Sequence, residues 1–138
     1  MSTIQITGVH HKSVVVTDLD RARAFYRDVL GLQEVPTPPA FSAGIAWFQI
    51  GDQQMHLLRG AHADPPTQRH IALHVADAEA ARGELVARGH LVEEATPIPG
   101  ADRFFTVDPD GNRIEIMQWR STWPEQVRQL GLRLRHPL

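Results

Sequence analysis

The sequence predicts an α+β fold built from two paired βαβββ modules. The main observation is an internal repeat, because HKSVVVTDLDRARAFYRDVLGL from His11 resembles HIALHVADAEAARGELVARGHL from His70. The two histidines lie 59 positions apart, and His56 in QQMHLL lies 59 positions before Glu115 in RIEIMQ. Agreement at the first strand, the helix and the last strand indicates a duplicated module rather than chance similarity.

The first module spans about residues 8–60. After its first strand, Asp18 or Asp20 is a suitable N-cap for a helix, and Gly31 is a suitable residue to end it. Between these positions, apolar residues recur with the spacing of one helical face. They are Ala22, Phe25, Tyr26 and Val29. The last strand of the module, QQMHLL, follows a turn at Gly51.

The second module spans about residues 68–119 and repeats these signals. Asp77 is the predicted N-cap of its helix, and Gly89 ends it. The DPDGN stretch at 108–112 predicts a hairpin turn, since Gly and Asn adopt positive φ readily. Adjacent prolines in residues 60–68 indicate a linker between the two modules.

The whole chain has the composition of an ordinary globular protein. Its 138 residues are 42% hydrophobic and 22% charged, which favours a single domain over residues 1–138. Beyond the second module we expect a C-terminal tail at 120–138, in which Pro124 opens a short helix through Leu130. Cysteine is absent, so disulfides, thiolate metal ligands and a cysteine nucleophile are excluded.

Strand alternation sorts the side chains of four strands into two faces. One face is apolar and is expected to pack against the helices: Val14, Val16, Met55, Leu57, Ile71, Leu73, Val75, Ile114 and Ile116. The opposite face carries one metal-binding or acidic side chain in each strand: His11, His56, His70 and Glu115. We expect these second faces to converge on one concave, partly polar cavity. Four ring residues in strands are expected in the core: Trp47, Phe48, Phe104 and Phe105.

Imidazoles and a carboxylate on this shared face are typical of a site for a divalent transition metal such as Zn, Ni, Mn, Fe or Co. The set is too rich in nitrogen for calcium or magnesium, which prefer oxygen ligands. The predicted metal ligands are His11, His56, His70 and Glu115. For Glu115 the alternative is a salt bridge with Arg103 or Arg113, and for His56 it is a hydrogen-bonded core histidine.

These motifs resemble the vicinal oxygen chelate superfamily, which includes glyoxalase I, fosfomycin-resistance proteins, methylmalonyl-CoA epimerase, extradiol dioxygenases and bleomycin-resistance proteins. The resemblance is carried by HHKSVVVTDLDRARAFYRDVLGL, RHIALHVAD and DPDGNRIEIM, and it covers residues 8–118. It implies a sheet-lined cup with a metal at its base, commonly in a homodimer. The metal-binding histidines of the family fall on His11 and His70, and its last-strand glutamate falls on Glu115.

The fourth family position falls on His56, where glyoxalase I has a glutamate. In that enzyme the carboxylates beside the metal move a proton between adjacent carbons of a hemithioacetal. A histidine can also act as a base, because its ordinary pKa lies near neutrality. It cannot do so while its lone pair holds a metal. Glu115 and His56 are therefore the candidate catalytic residues, and His56 is either a ligand or a base.

Three further residues are candidates for contact with a substrate in the same cavity. His74 shares the polar face of its strand with His70, and Arg103 and Arg113 are the other two candidates. His10, by contrast, should point to the other face by alternation, so we expect a structural or surface role for it.

The resemblance and the residues together predict a metal-dependent enzyme with lyase or isomerase chemistry, similar to lactoylglutathione lyase, acting on a small oxygenated substrate. One alternative is a non-haem iron dioxygenase, since two histidines and a carboxylate match the ligands of such enzymes. Another is a metal-free protein that binds and sequesters a small molecule such as an antibiotic. Scattered basic residues argue against a nucleic-acid partner, and the lack of a long apolar run argues against a membrane segment. We expect a cytoplasmic homodimer.

Overall fold

The computed structural model describes residues 3–41, 43–121, 125, 127–128 and 131 of the chain. It divides into two compact units. Unit 1 comprises Met1–Pro66 with Asp108–Asn112, and unit 2 comprises Thr67–Val107 with Arg113–Leu138. Both ends of the expected tail helix, Pro124 and Leu130, lie outside the described residues. Within the described ranges, no helix is long and apolar enough to cross a membrane.

Unit 1 follows the predicted order of one strand, a helix and three strands. Its elements are β1 (His11–Val16), α1 (Leu19–Arg23), a π-helix (Ala24–Val29), β2 (Gln33–Val35), a 3-10 turn (Pro39–Phe41), β3 (Ile45–Ile50) and β4 (Gln53–Arg59). The strands form one mixed sheet in the order β1-β4-β3-β2. β1 runs parallel to β4, and the other neighbours are antiparallel.

Unit 2 repeats this plan with β5 (His70–His74), α2 (Ala78–Ala87), β6 (Glu93–Glu94), β7 (Ala101–Val107) and β8 (Arg113–Trp119). Its sheet order is β5-β8-β7-β6, with β5 parallel to β8 and the remaining pairs antiparallel. The prediction of an α+β fold with two βαβββ modules is therefore confirmed.

Aspartate side chains begin both helices. The Asp18 carboxylate accepts a hydrogen bond from the Arg21 N–H at 3.0 Å, whereas the side chain of Asp20 is 94% exposed, so Asp18 is the cap. Asp77 does the same for α2 through the Ala80 N–H at 2.9 Å. The helices end at the predicted glycines, Gly31 with φ 73° and Gly89 with φ 78°.

The first helix leaves α geometry after one turn. In the π-helix the Leu30 N–H donates to the carbonyl of Phe25, five residues back, at 3.0 Å. Phe25 and Tyr26 are both buried and meet edge to face with ring centroids 5.2 Å apart. The wider turn lets these two consecutive rings both be buried.

The apolar strand faces pack as alternation predicts. The buried apolar residues of the sheets and helices include Val16, Ala22, Phe25, Tyr26, Ala46, Phe48, Met55 and Leu57 in unit 1. In unit 2 they include Leu73, Ala78, Leu85, Phe104, Ile114 and Ile116. The expectation for the four ring residues holds for Phe48, Phe104 and Phe105, which are buried. It is wrong for Trp47, which is only half-buried because it points to the polar face of β3.

The DPDGN turn at 108–112 connects β7 to β8 and is counted in unit 1 because of its contacts there. The buried Asp108 carboxylate accepts from the Tyr26 hydroxyl at 2.7 Å and from two backbone N–H groups of the turn. The Asn112 amide donates to the carbonyl of Val15 at 2.8 Å. Gly111 has φ 85°, as the predicted turn requires.

Candidate functional site

The four predicted ligands lie on the polar faces of the two sheets, two in each unit. They are His11 on β1, His56 on β4, His70 on β5 and Glu115 on β8. In unit 1, His56 lies two residues beyond Gln54, the strand partner of His11. In unit 2, Glu115 lies two residues beyond Arg113, the strand partner of His70. The two candidate ligands of each unit therefore have the same relative position on a parallel pair of strands, as the sequence repeat predicts.

His70 and Glu115 are in direct contact on the polar face of unit 2. His70 Nε2 lies 3.0 Å from Glu115 Oε2, and its Nδ1 lies 2.8 Å from the backbone carbonyl oxygen of Gln68. A carbonyl oxygen only accepts, so Nδ1 carries a proton and donates it. In the neutral ring Nε2 then holds a lone pair that faces a carboxylate oxygen. Two acceptors at this distance need a cation or a second proton between them.

Arg103 holds the other oxygen of this carboxylate. Its Nη1 donates to Glu115 Oε1 at 2.9 Å, and its Nη2 donates to the carbonyl of Thr96 at 2.9 Å. The salt bridge considered as the alternative for Glu115 is therefore formed, with Arg103. Because Glu115 is only 7% exposed, this cation compensates a charge that would otherwise be buried unpaired. It leaves Oε2 directed at His70.

Phe105 supports two other polar residues of this face. The Arg113 guanidinium lies over its ring, 3.6 Å from the centroid, and the His70 ring meets it edge-on with centroids 5.2 Å apart. Arg113 also donates to the side-chain oxygen of Gln68 at 2.8 Å. Arg113 is thus beside His70, as expected for a pocket residue, but it does not pair with Glu115.

His74 is tied to the backbone at one of its nitrogens. Its Nε2 accepts from the Trp119 N–H at 3.1 Å, and the residue is exposed. Only Nδ1 of His74 is therefore available for contact with a substrate.

In unit 1, three rings stack across neighbouring strands. The His56 ring lies between His11, at 3.9 Å and 18° between planes, and Trp47, at 4.3 Å and 2°. Imidazole nitrogens bind in the plane of the ring, and the nearly parallel planes of His11 and His56 are stacked 3.9 Å apart, so one cation cannot lie close to both rings in both planes. For both to hold one cation, one ring must turn about its side-chain bonds.

Burial, followed by the neighbouring His11 and His10, lowers the pKa of His56, so it is neutral at neutral pH. The presence of His10 here corrects the expectation from alternation. Its Nδ1 lies 2.8 Å from Nδ1 of His11, and its ring centroid lies 6.4 Å from that of His56. His10 precedes the first residue of β1, where alternation no longer sets the direction of a side chain.

Sequence reasoning put Gln54 on the same face as His56 but gave it no role, and it missed the stacking of Trp47 on His56. Both signals were present, because Trp47 is the strand partner of His56, as Phe105 is of Glu115. Gln54 lies two residues before His56 and shares its face. In the part of the chain that the structure describes, no three histidine or acidic side chains form a group able to hold a metal ion.

Comparison with known proteins defines the family. A family model described as the Glyoxalase/Bleomycin resistance protein/Dioxygenase superfamily matches residues 8–116. The chain belongs to this superfamily. The resemblance carried by the histidine, aspartate and DPDGN motifs is therefore confirmed, and members of the glyoxalase superfamily with several different activities match this chain.

Among these relatives, lactoylglutathione lyase of Haemophilus influenzae is 31% identical over 125 residues, 81% of this chain and 93% of that protein. The crystal structure of a Bacillus anthracis protein of the glyoxalase family is 31% identical, with a TM-score of 0.78, over 86% of this chain and all of that one. The Listeria monocytogenes fosfomycin resistance protein FosX, solved with Mn(II) and sulfate, is 19% identical with a TM-score of 0.74, over 91% of this chain and 98% of that one, which shows a shared fold.

The kinds of donor on these four strands, imidazole nitrogen and carboxylate oxygen, suit a divalent metal, and the contact between two of them agrees with this. A metal-binding histidine usually donates its second N–H to a carbonyl or carboxylate, as His70 does to Gln68. The contact of His70 Nε2 with Glu115 Oε2 is one that either a second proton on the ring or a bound cation makes favourable. Nitrogen and oxygen donors without sulfur agree with the metals that the sequence predicts.

Proposed function

We propose that this protein is a divalent-metal-dependent enzyme with lyase or isomerase chemistry, of the lactoylglutathione lyase kind, on a small oxygenated substrate. The observation that carries the proposal is the contact between His70 Nε2 and Glu115 Oε2, with Nδ1 already committed to a backbone carbonyl. The relation to the Haemophilus influenzae lyase over most of both chains supports the choice of reaction.

The residues proposed to hold the metal are His11, His56, His70 and Glu115. A bound divalent cation supplies a Lewis acid for adjacent oxygens of the substrate. The chain itself supplies the proton carrier, and we assign this role to Oε2 of Glu115, because Oε1 is bound to Arg103. A carboxylate oxygen has two lone pairs, so Oε2 can face a cation with one and take up a proton with the other. A fixed carboxylate next to a reacting carbon is the geometry that acid–base catalysis requires.

Two arginines are proposed to contact the substrate. Each terminal nitrogen of Arg103 carries a second N–H beyond the one that binds Glu115 or Thr96, so the guanidinium has donors left for a substrate oxygen. The Arg113 guanidinium is held flat against Phe105 beside His70, which orients its donors. Both arginines suit a substrate whose oxygens carry negative charge, such as a carboxylate.

Metal analysis tests the first part of the proposal. Purified protein is stripped with a chelator, loaded separately with Zn, Ni, Mn, Fe and Co, dialysed and measured by mass spectrometry. We expect about one equivalent per chain for at least one metal, and loss of more than about 100-fold in affinity in Glu115→Gln. Glu84→Gln, the same substitution on the exposed face of α2, should bind metal normally. Less than about a tenth of an equivalent in the wild type contradicts the proposal and favours a metal-free binding protein.

Turnover tests the second part. The metal-loaded protein is given the hemithioacetal of methylglyoxal and glutathione, and product is measured per bound metal. We expect turnover that Glu115→Gln lowers by about 100-fold or more, as for loss of a general acid–base group. Oxygen uptake by the iron form with a catechol, and no hemithioacetal turnover, would favour the dioxygenase alternative.

The remaining expectations are also proposals. We also propose a homodimer, as the resemblance implies, that acts on a small molecule in the cytoplasm, with residues 1–138 as one domain. Light scattering on the purified chain measures the assembly directly, and a monomer at micromolar concentration contradicts the dimer.

A further inference from the structure

A chain of hydrogen bonds runs from the backbone to His56. The Gln49 side-chain amide donates to the carbonyl of Gly51 at 2.8 Å. The Gln54 amide donates to Oε1 of Gln49 at 3.1 Å, and Oε1 of Gln54 lies 2.9 Å from Nε2 of His56.

The direction of this chain is fixed at its backbone end. A carbonyl oxygen cannot donate, so the NH₂ group of Gln49 must face Gly51 and its Oε1 must face Gln54. Gln54 must then donate to Gln49, which turns its own Oε1 toward His56. Reversing either amide would set two donors or two acceptors against each other. Nε2 of His56 therefore carries a proton and donates it.

The other nitrogen of His56 is left with its lone pair. Neutral imidazole holds one N–H, so Nδ1 is the acceptor atom of this ring. Nδ1 makes no hydrogen bond with any residue that the structure describes, although His56 is only 6% exposed. A backbone carbonyl thus decides the tautomer in both units: directly for His70, whose Nε2 is left as the acceptor, and through two glutamines for His56.

We infer that His56 binds the metal through Nδ1, and that Gln54 and Gln49 are positioning residues that fix this choice of nitrogen. The inference rests on the proposed metal-dependent function. It also answers whether His56 is a ligand or a base: with Nε2–H bound to Gln54 and Nδ1 on the metal, His56 has no lone pair with which to accept a proton.

Nuclear magnetic resonance with ¹¹³Cd(II) as the probe tests which nitrogen binds. Protein with ¹⁵N-labelled histidine rings is loaded with ¹¹³Cd(II), which has the filled d shell of Zn(II). We expect one-bond ¹¹³Cd–¹⁵N coupling at Nδ1 of His56 and at Nε2 of His70, with the Nε2 proton of His56 retained. Coupling at Nε2 of His56, or coupling at His70 without His56, overturns this inference alone. No coupling to any histidine overturns both this inference and the proposed function.

Substitution of Gln54 tests the positioning role. Gln54→Leu removes the acceptor, so we expect the ¹⁵N shifts of His56 to move toward the Nδ1–H tautomer and cadmium affinity to fall about 10-fold. Gln54→Glu keeps an acceptor for the Nε2–H of His56 but loses the amide that donates to Gln49, so it should retain the wild-type tautomer without that link. Gln53→Leu, at the exposed first residue of β4, is the matched control. Wild-type tautomer and affinity in Gln54→Leu would overturn the role of Gln54.

Discussion

Tyr26→Phe is expected to destabilise the protein by about 1.5 kcal/mol. The substitution keeps the buried ring and removes only the hydroxyl that donates to Asp108 at 2.7 Å. Burial, then the Asp108 charge, raises the pKa of Tyr26, so the hydroxyl is protonated and donates at neutral pH. A hydrogen bond to a charged group contributes about 1.5–3 kcal/mol. The lower end applies because Asp108 keeps three donors, two backbone N–H groups and the Asn112 amide.

Thr106→Val is the matched control, since it also removes one buried hydroxyl. Thr106 is fully buried, and its Oγ1 has no hydrogen-bond partner among the described residues, so its loss should be neutral or stabilising. Urea unfolding followed by circular dichroism measures both variants. With a slope of about 1.5 kcal/mol per molar urea, Tyr26→Phe should shift the midpoint down by about 1 M. A shift no larger than that of Thr106→Val would refute the assignment of stability to the Tyr26–Asp108 contact.

Three other substitutions test local features by the same unfolding assay. Asp18→Ala should destabilise the protein by about 1 kcal/mol because it removes the helix cap, and Asp20→Ala should destabilise it by less than about 0.5 kcal/mol. Equal effects would contradict the assignment of Asp18 as the cap. The hydrogen bond from Arg82 and the positive charge of Arg82 hold the pKa of Asp102 below its usual range. The Asp102 carboxylate therefore stabilises the fold at pH values above its ordinary pKa, and this stabilisation is lost as the pH falls through the lowered pKa of the folded protein. Asp102→Asn should therefore be less stable by about 0.5–1 kcal/mol at neutral pH, and a difference that persists in strong acid would speak against the ion pair. Gly111→Ala should cost about 1–2 kcal/mol because φ is 85°, and a neutral effect would show that the turn can rearrange.

Local signals were enough to predict the elements and their faces. An aspartate followed by apolar residues at helical spacing and a terminal glycine marks a helix in any context, because the cap and the positive φ are properties of the chain itself. Strand alternation likewise follows from backbone geometry, and it assigned Met55 and Ile114 to the core. The sequence did not distinguish Asp18 from Asp20 as the cap, because both residue types can cap a helix. The distinction depends on which of them has the extended φ and ψ of an N-cap residue, and in the structure this is Asp18.

Partners of polar side chains could not be predicted in the same way. Glu115 has two arginine candidates on its face, and the structure pairs it with Arg103 because Arg113 stacks on Phe105 instead. That choice depends on distances between three strands, which no spacing within one strand reveals. The ring of Trp47 against His56 is a similar case, because its partner follows from the register of β3 on β4.

The two units carry different charges at the equivalent positions of their last two strands. In unit 2, Arg103 is the strand partner of Met117, which lies two residues beyond Glu115. In unit 1 the equivalent of Arg103 is Ile45, because its strand partner Leu58 lies two residues beyond His56. A carboxylate on β8 is thus accompanied by a guanidinium on β7, whereas the neutral His56 is accompanied by an apolar residue.

His56→Glu should therefore destabilise the metal-free protein by about 3 kcal/mol, because the new carboxylate is buried without a cation. Adding Ile45→Arg should return at least about 1 kcal/mol, measured as the coupling energy of a double-mutant cycle that includes Ile45→Arg alone. A coupling below about 0.5 kcal/mol would mean that the arginine in unit 2 is not what allows Glu115 to be buried. A buried charge needs a compensating partner. We therefore expect that a buried carboxylate on the last strand of a unit requires an arginine at the position of Arg103, which unit 2 has and unit 1 lacks.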